Sequence, residues 1–196
     1  MYLKNIIIEN MGAIERFELL EKDLIKIDGN PKILILVGQN GSGKTTLLSS
    51  IVDAFYEFGN KLFEEILPKN GMGYKYFKIY GGTNLKVDCK YGFNFLQFER
   101  DKKYEYIDFI GALEISELQQ KTNNLLTLPI NTTQINNPNK LTTECQSNET
   151  LKKDFILNSY CFFPSDRFEN PYWLNSEISF TNEKFNENEK FSNNNS

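Results

Sequence analysis

The chain of 196 residues has no histidine and three cysteines, and each scarcity removes a class of function. Without imidazole the commonest general base and the commonest transition-metal ligand are both missing, so chemistry must run on lysine, carboxylate, hydroxyl and backbone groups. Cys89, Cys145 and Cys161 are odd in number and share no CxxC spacing, which argues against a disulfide framework or a zinc site and leaves them as buried or incidental thiols. A net charge of -4 gives no global pull toward nucleic acid. The longest apolar run is the length of one buried strand and the mean hydropathy is -0.47, so no membrane partner is expected. Residues after Met1 lack the basic start, apolar stretch and small-residue cleavage site of a signal peptide, and a cytoplasmic protein is expected.

What is present is a globular pattern with 40% hydrophobic residues, sixteen Phe and ten Tyr, enough for a real core. Leu3, Ile6, Ile7 and Ile8 form a β-branched run, residues 11–13 turn the chain, and residues 15–20 return as a second strand, which predicts an N-terminal β-hairpin. After the turn signal at residues 28–31, the run Ile33, Leu34, Ile35, Leu36 and Val37 is apolar without alternation, as in a strand covered on both faces. Leu47, Leu48, Ile51, Val52, Ala54, Phe55 and Phe58 recur at helical spacing, with Gly59 as a stop. Period-two patterning over about residues 74–110 predicts an antiparallel β subdomain. Residues 118–150, rich in Asn, Thr and Gln, read as a polar loop or insertion, residues 155–163 as a buried strand, and residues 182–196 as a disordered tail after a lobe spanning 1–181.

Chemistry concentrates in Gly38-Gln39-Asn40-Gly41-Ser42-Gly43-Lys44-Thr45, which satisfies GxxxxGK[ST]. Glycines let the backbone curl until successive N–H groups converge on phosphate oxygens. Lys44 supplies a flexible cation for the β- and γ-phosphates, and the Thr45 hydroxyl is a hard oxygen ligand for Mg²⁺. The helix that follows adds its positive end, so Gly38, Asn40, Gly41, Ser42, Gly43, Lys44, Thr45 and Thr46 are the expected contacts for ATP, with Thr45 on the metal. Strand, loop and helix come in the order an α/β P-loop fold requires. No Asn-Lys-x-Asp guanine signature is present, which favours ATP over GTP.

The hairpin, the run 33–37 and the stretch Val37-Gly38-Gln39-Asn40-Gly41-Ser42-Gly43-Lys44-Thr45-Thr46-Leu47-Leu48 together resemble the start of ABC-type ATPases of the SMC, RecF and OLD kind, with Asn10 and Asn40 at the matching asparagines. The segment Phe162-Phe163-Pro164-Ser165-Asp166-Arg167-Phe168-Glu169 is similar to a "strand then Pro-x-x-Arg" element of OLD-like and prokaryotic defence-associated AAA ATPases, which makes Arg167 a further candidate for a phosphate. The resemblance implies a mixed sheet in an N-terminal lobe, ATP hydrolysis with Mg²⁺, and a role on DNA or in defence against phage. The Walker B strand, the signature helix and the switch histidine of a complete ABC head are not found. A C-terminal lobe, a second copy or a partner subunit is therefore implied, the chain being the N-terminal lobe of a truncated, split or excised protein, and no catalytic base is identified. Gln97, Gln119 and Gln120 are candidates for the Q-loop glutamine, Asp166 pairs with Arg167 as a candidate, and Trp173 reads as packing. Two other functions stay open: a nucleotide-binding switch that does not hydrolyse, and a P-loop kinase acting on a small molecule. The kinase is disfavoured because only Arg16, Arg100 and Arg167 are present to build an Arg-rich lid.

Overall fold

β-Branched and aromatic residues at both ends of the first half of the chain come together as a single sheet. The computed structural model describes residues 1–62, 85–130, 142–146 and 149–156, all within one compact unit, Met1–Tyr160. Strand β1 (Tyr2–Met11) turns at Gly12, φ +56°, into β2 (Ile14–Leu19). On its other side β1 pairs with β3 (Tyr91–Glu99), which pairs with β4 (Lys103–Gly111) and that in turn with β5 (Thr142–Cys145). The order is β2-β1-β3-β4-β5 and every pairing is antiparallel.

Both faces of this sheet are covered. Ile6, Ile8, Leu96, Phe98, Tyr104 and Tyr106 face helix α2 (Lys44–Leu62), whereas Ile7, Phe93, Phe95, Ile107 and Phe109 lie with Leu118 of helix α3 (Ile115–Lys121) and with Leu126. Phe58 of α2 meets the Phe98 ring edge-on at 5.7 Å and the Tyr106 ring at 6.5 Å, so aromatic packing fixes where α2 lies. A short helix α1 (Glu21–Leu24) follows the hairpin, and helix α4 (Glu149–Ile156) sets Phe155 6.2 Å from Phe55.

Several sequence expectations change. The predicted mixed sheet is antiparallel throughout the described residues, and hairpin and meander form one sheet because β1 pairs directly with β3. Residues 32–37 join no strand, and Ile33, Ile35 and Val37 are 91%, 77% and 90% exposed. An apolar run becomes a buried strand only when neighbours supply backbone partners and cover both faces, and none of the described strands does so here. Gly59 does not stop α2, because Phe58 and Leu62 anchor the last turn in the core. The polar stretch 118–150 holds the end of α3, β5 and the start of α4, and Phe155 and Ile156 close that helix instead of opening a strand. The rest of 157–196, with Asp166, Arg167, Trp173, Cys161 and the tail, lies outside the described residues, as do 63–84. Cys145 is buried, which pushes its thiol up to about 12 and leaves it unreactive at neutral pH. No helix among the described residues is long and apolar enough to cross a membrane.

A row of buried polar side chains pins the strand register. Asn5 donates to Gln97 at 2.7 Å, Gln97 donates to Glu105 at 3.2 Å, and Glu105 accepts from the Thr127 and Leu128 N–H groups at 2.8 and 3.0 Å. A slip of one residue would turn these groups to the other face and leave them unpaired.

Glu9, farther along the same strand, accepts from Arg16, from Lys121 at 2.8 Å and from Tyr91, and so ties β2 and α3 to β1. Burial pushes the Glu9 carboxyl up, but these three donors outweigh it and hold it below the usual glutamate range. A lowered folded pKa contributes stability above the unfolded value, about 4.3, and that contribution is lost as pH falls through the folded value. Urea unfolding at pH 7 and pH 3 is expected to show Glu9→Gln costing stability mainly at pH 7. An equal cost at both pH values would refute this assignment.

Candidate functional site

The segment 38–45 leads directly into α2, and its backbone is set by glycines. Gly41 and Gly43 have φ of +81° and +91°, conformations that other residues adopt only at a cost. The Ser42 N–H closes a turn onto the Gln39 carbonyl at 3.2 Å, and a side chain at Gly38 would meet Ser42 Oγ at 2.8 Å. Lys44 reaches back across the loop and donates to the carbonyls of Gly38 and Gln39, each at 2.7 Å. The ammonium is therefore strapped to the first two residues of the loop.

The helix end contributes its own groups. Leu47 N–H closes the first turn onto the Gly43 carbonyl at 2.9 Å. The N–H groups of Lys44 and Thr45 have no intrahelical acceptor at that end. No acidic residue occupies the first turn of α2, although Asp and Glu are the residues a helix start usually favours. The first turn of α2 thus offers no acid of its own to the positive end of the macrodipole, which stands beside an ammonium, an arrangement suited to an anion. Thr45 is exposed at this end, whereas Thr46 is buried and turns inward.

The other sequence candidates lie elsewhere. Gln97 is 3% exposed and hydrogen-bonded to Asn5 and Glu105 on the sheet face opposite α2. Gln119 and Gln120 are exposed on α3, which covers that same opposite face. Among the described residues none of the three joins the loop. Asn10, the other asparagine of the family-like pattern, adopts φ +55° at the end of β1, and its carbonyl accepts the Lys86 N–H at 2.9 Å.

One neighbour of the loop has no local signal in the sequence. A Cβ built on Gly43 would lie 2.5 Å from Ile14 Cγ1 and 3.2 Å from its Cδ1, so the end of the N-terminal hairpin is seated directly on the loop. Ile14 and Gly43 are distant in sequence, and a periodicity argument has no access to such a contact.

A model of the AAA domain family matches residues 5–195. The chain belongs to the AAA domain family. That match spans nearly all of the chain and makes it a member of a family of P-loop, nucleotide-binding ATPases related to SMC proteins. No curated protein matches it. The family accords with a fold that mixes helices and strands.

The loop geometry separates its glycines. Gly41 has open space where a side chain would go, while Gly43 has none. Gly41→Ala is expected to cost about 1–2 kcal/mol from its left-handed backbone alone. Gly43→Ala adds a clash with Ile14, and chemical denaturation should show the larger loss. Equal losses would mean that Ile14 yields without resistance.

Proposed function

We propose that residues 38–45 bind the phosphates of ATP, and that the chain is the nucleotide-binding N-terminal lobe of an ABC-type ATPase resembling the SMC, RecF and OLD-like proteins. The observation that carries this reading is Lys44 strapped across a curl of left-handed glycines at a helix end without acids. Backbone N–H groups at Gly41, Gly43, Lys44 and Thr45 hold phosphate oxygens, and Lys44 exchanges its two carbonyl partners for the β- and γ-phosphates. A carbonyl-bound ammonium is a fit partner for an incoming polyanion, because charge-assisted bonds to phosphate exceed those to neutral oxygens. The Thr45 hydroxyl, exposed at the helix end, is the ligand for Mg²⁺, which when bound neutralises charge on the phosphates. Thr46 is buried, so it contributes through its backbone.

Hydrolysis requires a group that orients water and an acidic Mg²⁺ ligand, and the sequence offers no Walker B pair. The exposed run 33–37 supports a partner as their source. Ile33, Ile35 and Val37 are β-branched, exposed and unpaired with the described strands. Covering each would contribute about 1.5–3 kcal/mol. A C-terminal lobe, a second copy or a partner subunit that supplies strands to this run completes the site. Work on DNA or in defence against phage, and the candidacy of Arg167, rest on the resemblance. The absence of the acid pair favours a second reading, a switch that binds ATP without turning it over.

Titration calorimetry with ATP and Mg²⁺ on the wild type and Lys44→Ala, followed by phosphate release, tests both. Loss of Lys44 should weaken binding by about 1.5–3 kcal/mol, roughly 10- to 150-fold. Binding without phosphate release until a partner is added is expected. A wild type that does not bind would sink the reading.

A further inference from the structure

We infer that Ile14 is a positioning residue for the loop 38–45, and that the end of the N-terminal hairpin acts as a strut holding Gly43 in its left-handed conformation. This deepens the proposed function, since it rests on the same loop as the phosphate cradle. Gly43, φ +91°, turns the chain from the loop into α2, immediately before Lys44. Any rotation at Gly43 redirects the N–H groups of the loop and the Lys44 side chain together. Glycine by itself does not hold that conformation, because its left- and right-handed wells are similarly accessible. The restraint comes from outside the loop.

Ile14 supplies it. Its Cγ1 and Cδ1 fill the space a Gly43 side chain would take, Ile14 is 8% exposed, and Leu47 in the first turn of α2 shares its core cluster. A strut also has to be anchored behind, and this one is. Ile14 pairs with Met11, Met11 bridges to Leu85, and the Asn10 carbonyl accepts the Lys86 N–H at 2.9 Å. The same carbonyl lies 2.6 Å from where a Gly92 side chain would begin. Lys86 reaches Glu15 at 3.1 Å from the flank. The hairpin end is therefore clamped between β3 and the loop and cannot recoil from Gly43 without breaking backbone contacts. β-Branched isoleucine suits the task, since its side chain is stiff at χ1.

Hydrogen exchange by mass spectrometry and MgATP binding on the full chain test this, using wild type, Ile14→Ala, Ile14→Val and Ile107→Ala. Ile107 is 1% exposed on the opposite face of the sheet and reports the effect of general destabilisation. In Ile14→Ala, the hydrogen-bonded amides of Ser42 and Leu47 should exchange about tenfold faster than in Ile107→Ala, and MgATP should bind about tenfold more weakly than to wild type. Ile14→Val should shift both in the same direction by less, and it carries the test if the alanine variant does not fold. Exchange no faster than in the Ile107 variant overturns the inference, as does faster exchange with unchanged binding. A wild type that does not bind MgATP would overturn the proposed function, while the exchange comparison still decides whether Ile14 restrains the loop.

Discussion

Ile6, Ile7 and Ile8 are all completely buried, although successive residues of a strand point to opposite faces. That requires cover on both sides of β1, and the rest of the described fold follows from it. One side takes α2, the other takes α3 and the segment around Leu126. Because β1 is bonded along both edges, to β2 and to β3, its position is over-determined, and whatever is attached to its ends inherits that rigidity. The candidate site is attached there twice, by α2 lying across the sheet and by the hairpin turn meeting Gly43.

Apolar burial does not choose a register by itself, since β1, β3 and β4 each bury apolar residues on both faces. The polar row Asn5, Gln97, Glu105 and Thr127 does, because each buried donor or acceptor in it has only one placement that satisfies it. Glu9 plays the same part near the hairpin, drawing Arg16, Tyr91 and Lys121 to one carboxylate. With the register set, Met11 and Ile14 face each other and Ile14 points at the loop.

Much of the helix-forming and strand-forming signal was local and therefore legible. Ile6 to Ile8, the aromatic alternation of β3 and β4, and the helical spacing from Leu47 to Phe58 reflect side-chain direction within one element. Expectations that depend on neighbouring elements do not hold. Gly59 lost to core packing at Phe58 and Leu62, and α4 displaced the expected start of a strand at Phe155. The run 33–37 has the composition of a buried strand, yet all of it but Leu36 stands exposed, because composition records what a segment needs and says nothing about whether its neighbours are in place.

The candidate site divides in the same way. The GxxxxGK[ST] spacing determined, without any structure, where glycines free the backbone and where a cation and a hydroxyl stand relative to a helix start, since those are properties of eight adjacent residues. Tertiary structure alone decided that Gln97 serves the register of the sheet and that Ile14 sits against Gly43. These are contacts in space between groups whose directions are known only once β1 is buried on both faces.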